Sequence, residues 1–171
     1  CSSDLTFRKR TGTLVVEKLG YIVAKGTDFS YQTCMHLIFN EILQDSENYL
    51  YQYDAFYCKG TGYNIMDIAS ERDFSVFLDA NNFAADKAKW PQLAGVLDTM
   101  MMQLMFPLAI LKSDLFGFVH ADLKCRNLFQ HRKEDGQLVF KLGDFDKSSI
   151  FWNGVRFYNS SKDYLGDHVN H

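Results

Sequence analysis

Residues 13–25 hold two runs rich in β-branched and apolar side chains, separated by Lys18–Gly20, and this pattern predicts a β-hairpin. Over 30–45 the apolar positions Met35, Leu37, Ile38, Ile42 and Leu43 fall roughly on one helical face. Tyr49–Tyr57 and Gly62–Ala69 read as strands joined by a turn at Lys59-Gly60-Thr61-Gly62. From Asp73 the pattern turns helical through Phe74, Phe77 and Leu78. A polar connection over 81–90 leads to Pro91, which suits the first turn of a long helix reaching about Lys112 and kinked at Pro107. Short β-type runs follow at 118–120, 127–130 and 138–142, the last two separated by a charged turn over His131–Gly136. No repeat or low-complexity tract is present. The order predicts an α+β fold of two unequal lobes.

Composition narrows the function classes. The 171 residues are 47% apolar and 15% aromatic, enough for a folded core, and the charged fraction of 23% does not point to disorder. A net charge of −3 argues against a general nucleic-acid-binding surface. Cys1, Cys34, Cys58 and Cys125 form no C-x-x-C pair, so zinc and dithiol chemistry lack support and an intracellular, reduced protein is expected. The apolar run Met100–Leu111 is interrupted by Gln103 and Pro107 and falls short of the roughly 20 residues that span a bilayer, so no membrane span is expected. No secretory leader opens the sequence, and its start at Cys1 rather than Met leads us to expect a piece of a longer polypeptide.

The chemistry concentrates in Phe118-Val119-His120-Ala121-Asp122-Leu123-Lys124-Cys125-Arg126-Asn127-Leu128-Phe129, followed after an interval by Lys141-Leu142-Gly143-Asp144-Phe145-Asp146. A carboxylate, an ammonium two residues on, an amide three beyond it and a second carboxylate across a hairpin are the groups phosphoryl transfer requires. That reaction needs a base for the incoming hydroxyl, a cation on the phosphate and hard oxygen ligands for Mg²⁺. Each group alone has a plainer reading: Asp-Leu-Lys as a solvated turn, His120 as a core histidine. The conjunction in order and interval carries the signal.

The two segments resemble the H-R-D-L-K-x-x-N catalytic loop and the D-F-G motif of Ser/Thr protein kinases. The resemblance implies a protein-kinase-like two-lobed fold, with a reduced N-lobe and hinge over 1–69. A partial, mostly helical C-lobe carrying the catalytic loop and the D-F-D motif would follow over 70–171. It implies ATP with Mg²⁺ or Mn²⁺ as cofactors and a protein as the phosphate acceptor. Asp122 would be the catalytic base and Lys124 the γ-phosphate contact. Asn127 and Asp144 would hold the metal, and His120 and Phe145 would pack in the hydrophobic spine. Small-molecule phosphotransferases carry a similar loop but usually lack the lysine, so Lys124 favours a protein substrate.

Upstream, Ile65–Phe74 resembles the hinge between kinase lobes. Met66 would stand as gatekeeper, the backbone of Asp67 and Ala69 would bond the adenine edge, and Asp73 would meet the ribose. Phe129 is placed with the nucleotide-binding residues. Val23-Ala24-Lys25 resembles the strand lysine that grips the α/β-phosphates, with Glu41 as its helical partner. One turn beyond Glu41 stands Asp45, where the family expects an apolar spine residue.

Departures from the pattern are specific. No G-x-G-x-x-G loop precedes Lys25, and Gly12 alone cannot supply one. Ala121 replaces the arginine that reads a phosphorylated activation loop, and Asp146 replaces the D-F-G glycine. No A-P-E sequence follows. Ser160–Gly166 only faintly resembles the start of helix F, in which Asp163 would brace the catalytic loop. His-Ala-Asp-Leu-Lys with Asp-Phe-Asp is similar to divergent kinases of large DNA viruses, such as the poxviral virion-assembly kinase, which implies a viral origin. Besides an active protein kinase, two alternatives stay open: a pseudokinase or decoy that binds without transfer, and a small-molecule phosphotransferase.

Overall fold

Phe7–Arg10 (β1), Thr13–Val16 (β2), Tyr21–Gly26 (β3), Gln52–Cys58 (β4) and Thr61–Asp67 (β5) form one antiparallel sheet in the order β1-β2-β3-β5-β4. The computed structural model describes residues 7–10, 13–16, 21–26, 29–44, 46–58 and 61–159. The hairpin expected over 13–25 is present as β2 paired with β3, from Thr13↔Ala24 to Val16↔Tyr21. Its turn residues, 17–20, lie outside the described residues, as do Gly12, Asp45, Lys59, Gly60 and the 160–171 segment that includes Asp163.

Helix α1 (Phe29–Ile42) joins β3 to β4 and covers one face of the sheet. Thr33 Oγ1 donates to Asn64 Oδ1 at 2.9 Å, and Asn40 Nδ2 donates to the Gln52 carbonyl at 2.6 Å. Along β5 the period of two is plain: Gly62, Asn64 and Met66 are buried, while Thr61, Tyr63, Ile65 and Asp67 are partly exposed.

The second sheet strand starts at Gln52 rather than Tyr49, and the reason is competition for backbone. Leu50 N donates to the Leu142 carbonyl, and Leu142 N donates to the Asn48 carbonyl, each at 2.9 Å. The 48–50 segment thereby belongs to a strand from the other half of the chain, Leu138–Leu142 (β7), which pairs with Leu128–Arg132 (β6).

Helix α2 (Phe74–Asn81) starts where Asp73 caps it, Oδ1 accepting from Ser75 N at 3.0 Å. Helix α3 (Trp90–Lys112) has Pro91 in its first turn and reaches Lys112 as expected, with the buried Pro107 inside it. Gln103 locks α3 to β7: Nε2 donates to the Leu138 carbonyl and Oε1 accepts from Phe140 N, both at 2.8 Å.

Met100, Leu104 and Leu111 point into the core, which they share with Phe39, Tyr49, Phe140 and Phe145. The opposite face of α3 exposes Met101, Met102, Met105 and Phe106. The Met100–Leu111 run is too short to span a bilayer, but Lys87–Lys112 as a whole is long and apolar enough by length and composition.

Residues 118–120 form a single bridge, Val119 to Ser149, in place of the expected strand. A hairpin absent from the expectations, Ser149–Trp152 (β8) and Val155–Tyr158 (β9), turns at Asn153-Gly154. Those two residues have φ of 50° and 78°, the left-handed pair a type I′ turn requires. The architecture is α+β, with small antiparallel sheets and three α-helices among the described residues.

Candidate active site

The loop from Phe118 to Asn127 is tied down at four places. Val119 and Ser149 exchange backbone bonds at 2.9 and 2.8 Å. His120 Nε2 reaches the Gly143 carbonyl at 3.2 Å, and Gly143 N donates to the Asn127 carbonyl at 3.1 Å. Asn127 Nδ2 donates to the Asp122 carbonyl at 2.9 Å. Because its NH₂ group is used in that bond, the amide oxygen is what Asn127 can offer a cation. Within this frame Ala121 and Asp144 adopt φ of 58° and 59°, a left-handed conformation strained for residues with a Cβ. Such strain persists only where the surroundings impose it, and it marks functional turns.

These constraints bring three carboxylates together: Asp122, Asp144 and Asp146 each place an oxygen within 4.8 Å of the others. Two ammonium groups face them. Lys124 Nζ is 2.7 Å and Lys147 Nζ 3.1 Å from the same oxygen, Asp122 Oδ2. The hydrogen bond from Lys124, helped by that from Lys147, holds the Asp122 carboxyl below its ordinary range, so it is ionised. Asp144 is shifted the other way, raised first by burial and then by the charge of Asp146. Three hard oxygen donors crowded against their own repulsion fit a divalent cation of the Mg²⁺ class.

Phe145 is anchored beneath this cluster. Its ring lies 4.4 Å from Phe39, 5.1 Å from His36 and 5.4 Å from His120, centroid to centroid, and is 1% exposed. His120 is buried with it, and burial lowers its pKa. His120 and Phe145 are thus packed against each other and against α1.

The expected hinge residues lie on β5 and in the connection from β5 to α2. Met66 is buried on β5. Asp67 N donates to the Tyr51 carbonyl at 2.9 Å, while the Asp67 carboxylate accepts from Tyr53 Oη at 2.6 Å and Lys141 Nζ at 2.9 Å. The Ala69 carbonyl accepts from Arg72 N. Asp73, beyond capping α2, forms an antiparallel bridge with Phe129. The Phe129 ring and Leu50 close over Gly143 so tightly that a Cβ there would lie 2.7 and 2.6 Å from them.

One expected partner, Glu41, is not brought to the cluster. Glu41 is exposed at the end of α1 and lines a separate cavity of about 660 Å³ with Phe106 and Ile110. The cause is helical phase: Glu41 is about 200° around the axis from Phe39, the residue that meets Phe145. The backbone of Lys25 pairs with Tyr63 in β3, and its side chain lies outside what the structure describes.

Sequence reasoning passed over Lys147 and the Lys141–Asp67 ion pair. The bridge between Val119 and Ser149, which no local pattern announces, sets Lys147 against Asp122; the direct adjacency of Asp146 and Lys147 was the available signal.

No family model matches the chain. The chain is 33% identical over 196 aligned positions to a protein of Acanthamoeba polyphaga mimivirus whose name marks it as a candidate serine/threonine-protein kinase. The match covers 90% of this chain and 28% of that protein, so the chain spans less than a third of its relative's length. Over nearly all of its own length the chain has a kinase-like relationship to that viral protein.

Proposed function

We propose that this chain is an ATP-dependent protein kinase that transfers the γ-phosphate to serine or threonine hydroxyls of a protein. The observation that carries the reading is the convergence of Asp122, Lys124, Asn127 and Asp144 on one strained, cross-braced loop pair. The kinase-like relative supports the same class. In this reading the five-stranded sheet with α1 forms an upper lobe, and the chain from Ser70 onward forms a lower one. Nucleotide binds where Met66, Asp67, Ala69, Asp73 and Phe129 border the junction, and Asn127 and Asp144 hold the metal.

A bound Mg²⁺ or Mn²⁺ supplies charge neutralisation for the phosphates. The residues of the chain do the rest. Asp122, kept ionised by its two ammonium partners, accepts the proton of the acceptor hydroxyl. Lys124 stands where it meets the charge that gathers on the transferred group. Asn127 fixes the backbone of Asp122 while presenting its amide oxygen to the metal. Phe145, buried among Phe39, His36 and His120, holds Asp144 in position.

The test is transfer of labelled phosphate from ATP with Mg²⁺ to a generic Ser/Thr protein substrate, comparing the parent with Asp122→Asn. Transfer is expected to fall at least about 10²-fold, the low end for a general base, with ATP binding retained. Equal transfer by the two proteins removes Asp122 from the mechanism. A second reading, a nucleotide-binding pseudokinase, draws on the exposed position of Glu41. It predicts ATP binding with no transfer by the parent.

A further inference from the structure

Asp146 and Lys147 occupy the turn between two buried anchors, Phe145 and Ser148. Ser148 N donates to the Phe145 carbonyl at 3.1 Å, and Ser148 Oγ donates to the His120 carbonyl at 3.1 Å. Ser149, also fully buried, pairs with Val119. The 146–149 segment therefore runs antiparallel to 119–122, and this crossing brings Lys147 level with Ala121, beside Asp122. The ammonium is delivered to Asp122 Oδ2 by fixed backbone on both sides.

The charges around it explain why a second lysine is needed. Three carboxylates with Lys124 and Lys147 carry one net negative charge; a divalent cation turns this into one net positive charge. Without Lys147 the metal-loaded cluster is neutral and no longer attracts a polyanion. Asp146 adds a carboxylate to the cluster, and its sequence neighbour supplies the compensating cation.

We propose that Lys147 is a second catalytic cation, contacting the transferred phosphate alongside Lys124. The proposal rests on the phosphoryl-transfer reading above. The acceptor oxygen forms a bond to the γ-phosphorus and its proton passes to Asp122. The bond from the γ-phosphorus to the bridging oxygen breaks, and ADP leaves with that electron pair. As Asp122 gains the proton it loses its charge and releases both ammonium groups, at the step where they are needed on the phosphoryl oxygens.

The experiment uses the 171-residue chain with Mg²⁺, ATP and a generic protein substrate, in four forms: parent, Lys147→Ala, Lys147→Arg and Asp146→Gly/Lys147→Ala. For Lys147→Ala, kcat is expected to fall about tenfold or more while KM for ATP moves less than about threefold. Arginine is expected to restore most of the rate, and the double variant part of it, because removing a carboxylate returns the missing net charge. A kcat for Lys147→Ala within about twofold of the parent, or no recovery with arginine, overturns the proposal. Lys147→Gln replaces the alanine variant if the latter melts below the assay temperature. If the parent transfers no phosphate, the phosphoryl-transfer reading fails, and the ratio of ATP to ADP affinity decides on Lys147 separately. A ratio that falls in Lys147→Ala supports the γ-phosphate contact, and an unchanged ratio overturns it.

Discussion

At Asp144 the backbone is held at φ 59°, and the carboxylate is pressed against that of Asp146 with its pKa raised by burial and by that neighbour. Neither condition favours the folded chain by itself. Both become useful once a divalent cation lies between the oxygens, because the repulsion then turns into shared coordination. Mg²⁺ or Mn²⁺ at about 100 times its dissociation constant is therefore expected to stabilise the parent by roughly 2.7 kcal/mol. Asp144→Ala is expected to remove that increment while melting no lower than the parent in chelator, since the variant loses the carboxylate repulsion. Thermal unfolding with and without metal checks both parts. A metal increment that survives in Asp144→Ala excludes Asp144 as a ligand.

Among the elements, the contact of α1 with the Asp144–Asp146 turn is the most consequential. It is made by His36 and Phe39, and His36 Nδ1 donates to the Leu50 carbonyl at 3.0 Å in full burial. Burial lowers the His36 pKa to about 4, with the bond to Leu50 opposing the shift. The folded state therefore takes up this proton less readily than the unfolded chain, whose histidine titrates near 6.5. The His36 contribution is intact above pH 6.5 and is lost as pH falls from there toward 4, on the order of 3 kcal/mol. Denaturant unfolding between pH 7 and 4 is expected to show this slope. His36→Asn keeps a donor for the Leu50 carbonyl but does not titrate, so it should flatten the slope whatever it does to absolute stability. An unchanged slope assigns the acid sensitivity to other groups.

For the whole molecule, the site is assembled by contacts between halves of the chain rather than by a modified loop. Ser148 and Ser149 follow the Asp-Phe-Asp turn, and both are fully buried. Ser148 Oγ is spent on the His120 carbonyl, and Ser149 Oγ accepts from Arg156 at 2.7 Å. Ala121 offers no donors to a phosphate on this segment. Activity is accordingly expected to be independent of phosphorylation there: phosphatase treatment should leave the initial rate unchanged. Loss of most activity, restored by rephosphorylation of Ser148 or Ser149, sinks this expectation, and Arg126, four residues after Asp122, is then the cation to examine.

The sequence by itself determined most of the elements and the identities of the candidate site groups. β-Branched runs, a capping aspartate at Asp73 and Pro91 in a first turn are local signals, and local backbone preference follows from them directly. The Asp122–Asn127 loop and the Asp144 turn were equally legible, because the proposed phosphoryl transfer calls for particular side chains at short spacings. Asn153-Gly154 was a local hairpin signal too, and it went unread. What only the tertiary structure decided depends on contacts far apart in the chain. The 48–50 segment was taken from β4 by Leu142, a competition that no window around residue 50 contains. Glu41 is a carboxylate at a plausible position in the sequence, yet the phase of α1 is set by Phe39 and His36 packing on Phe145. Lys147 reads as a solvated lysine until Ser149 pairs with Val119 and turns it toward Asp122. Side-chain chemistry is written residue by residue, whereas which groups meet is fixed by packing of elements against one another, and packing is a property of the whole chain.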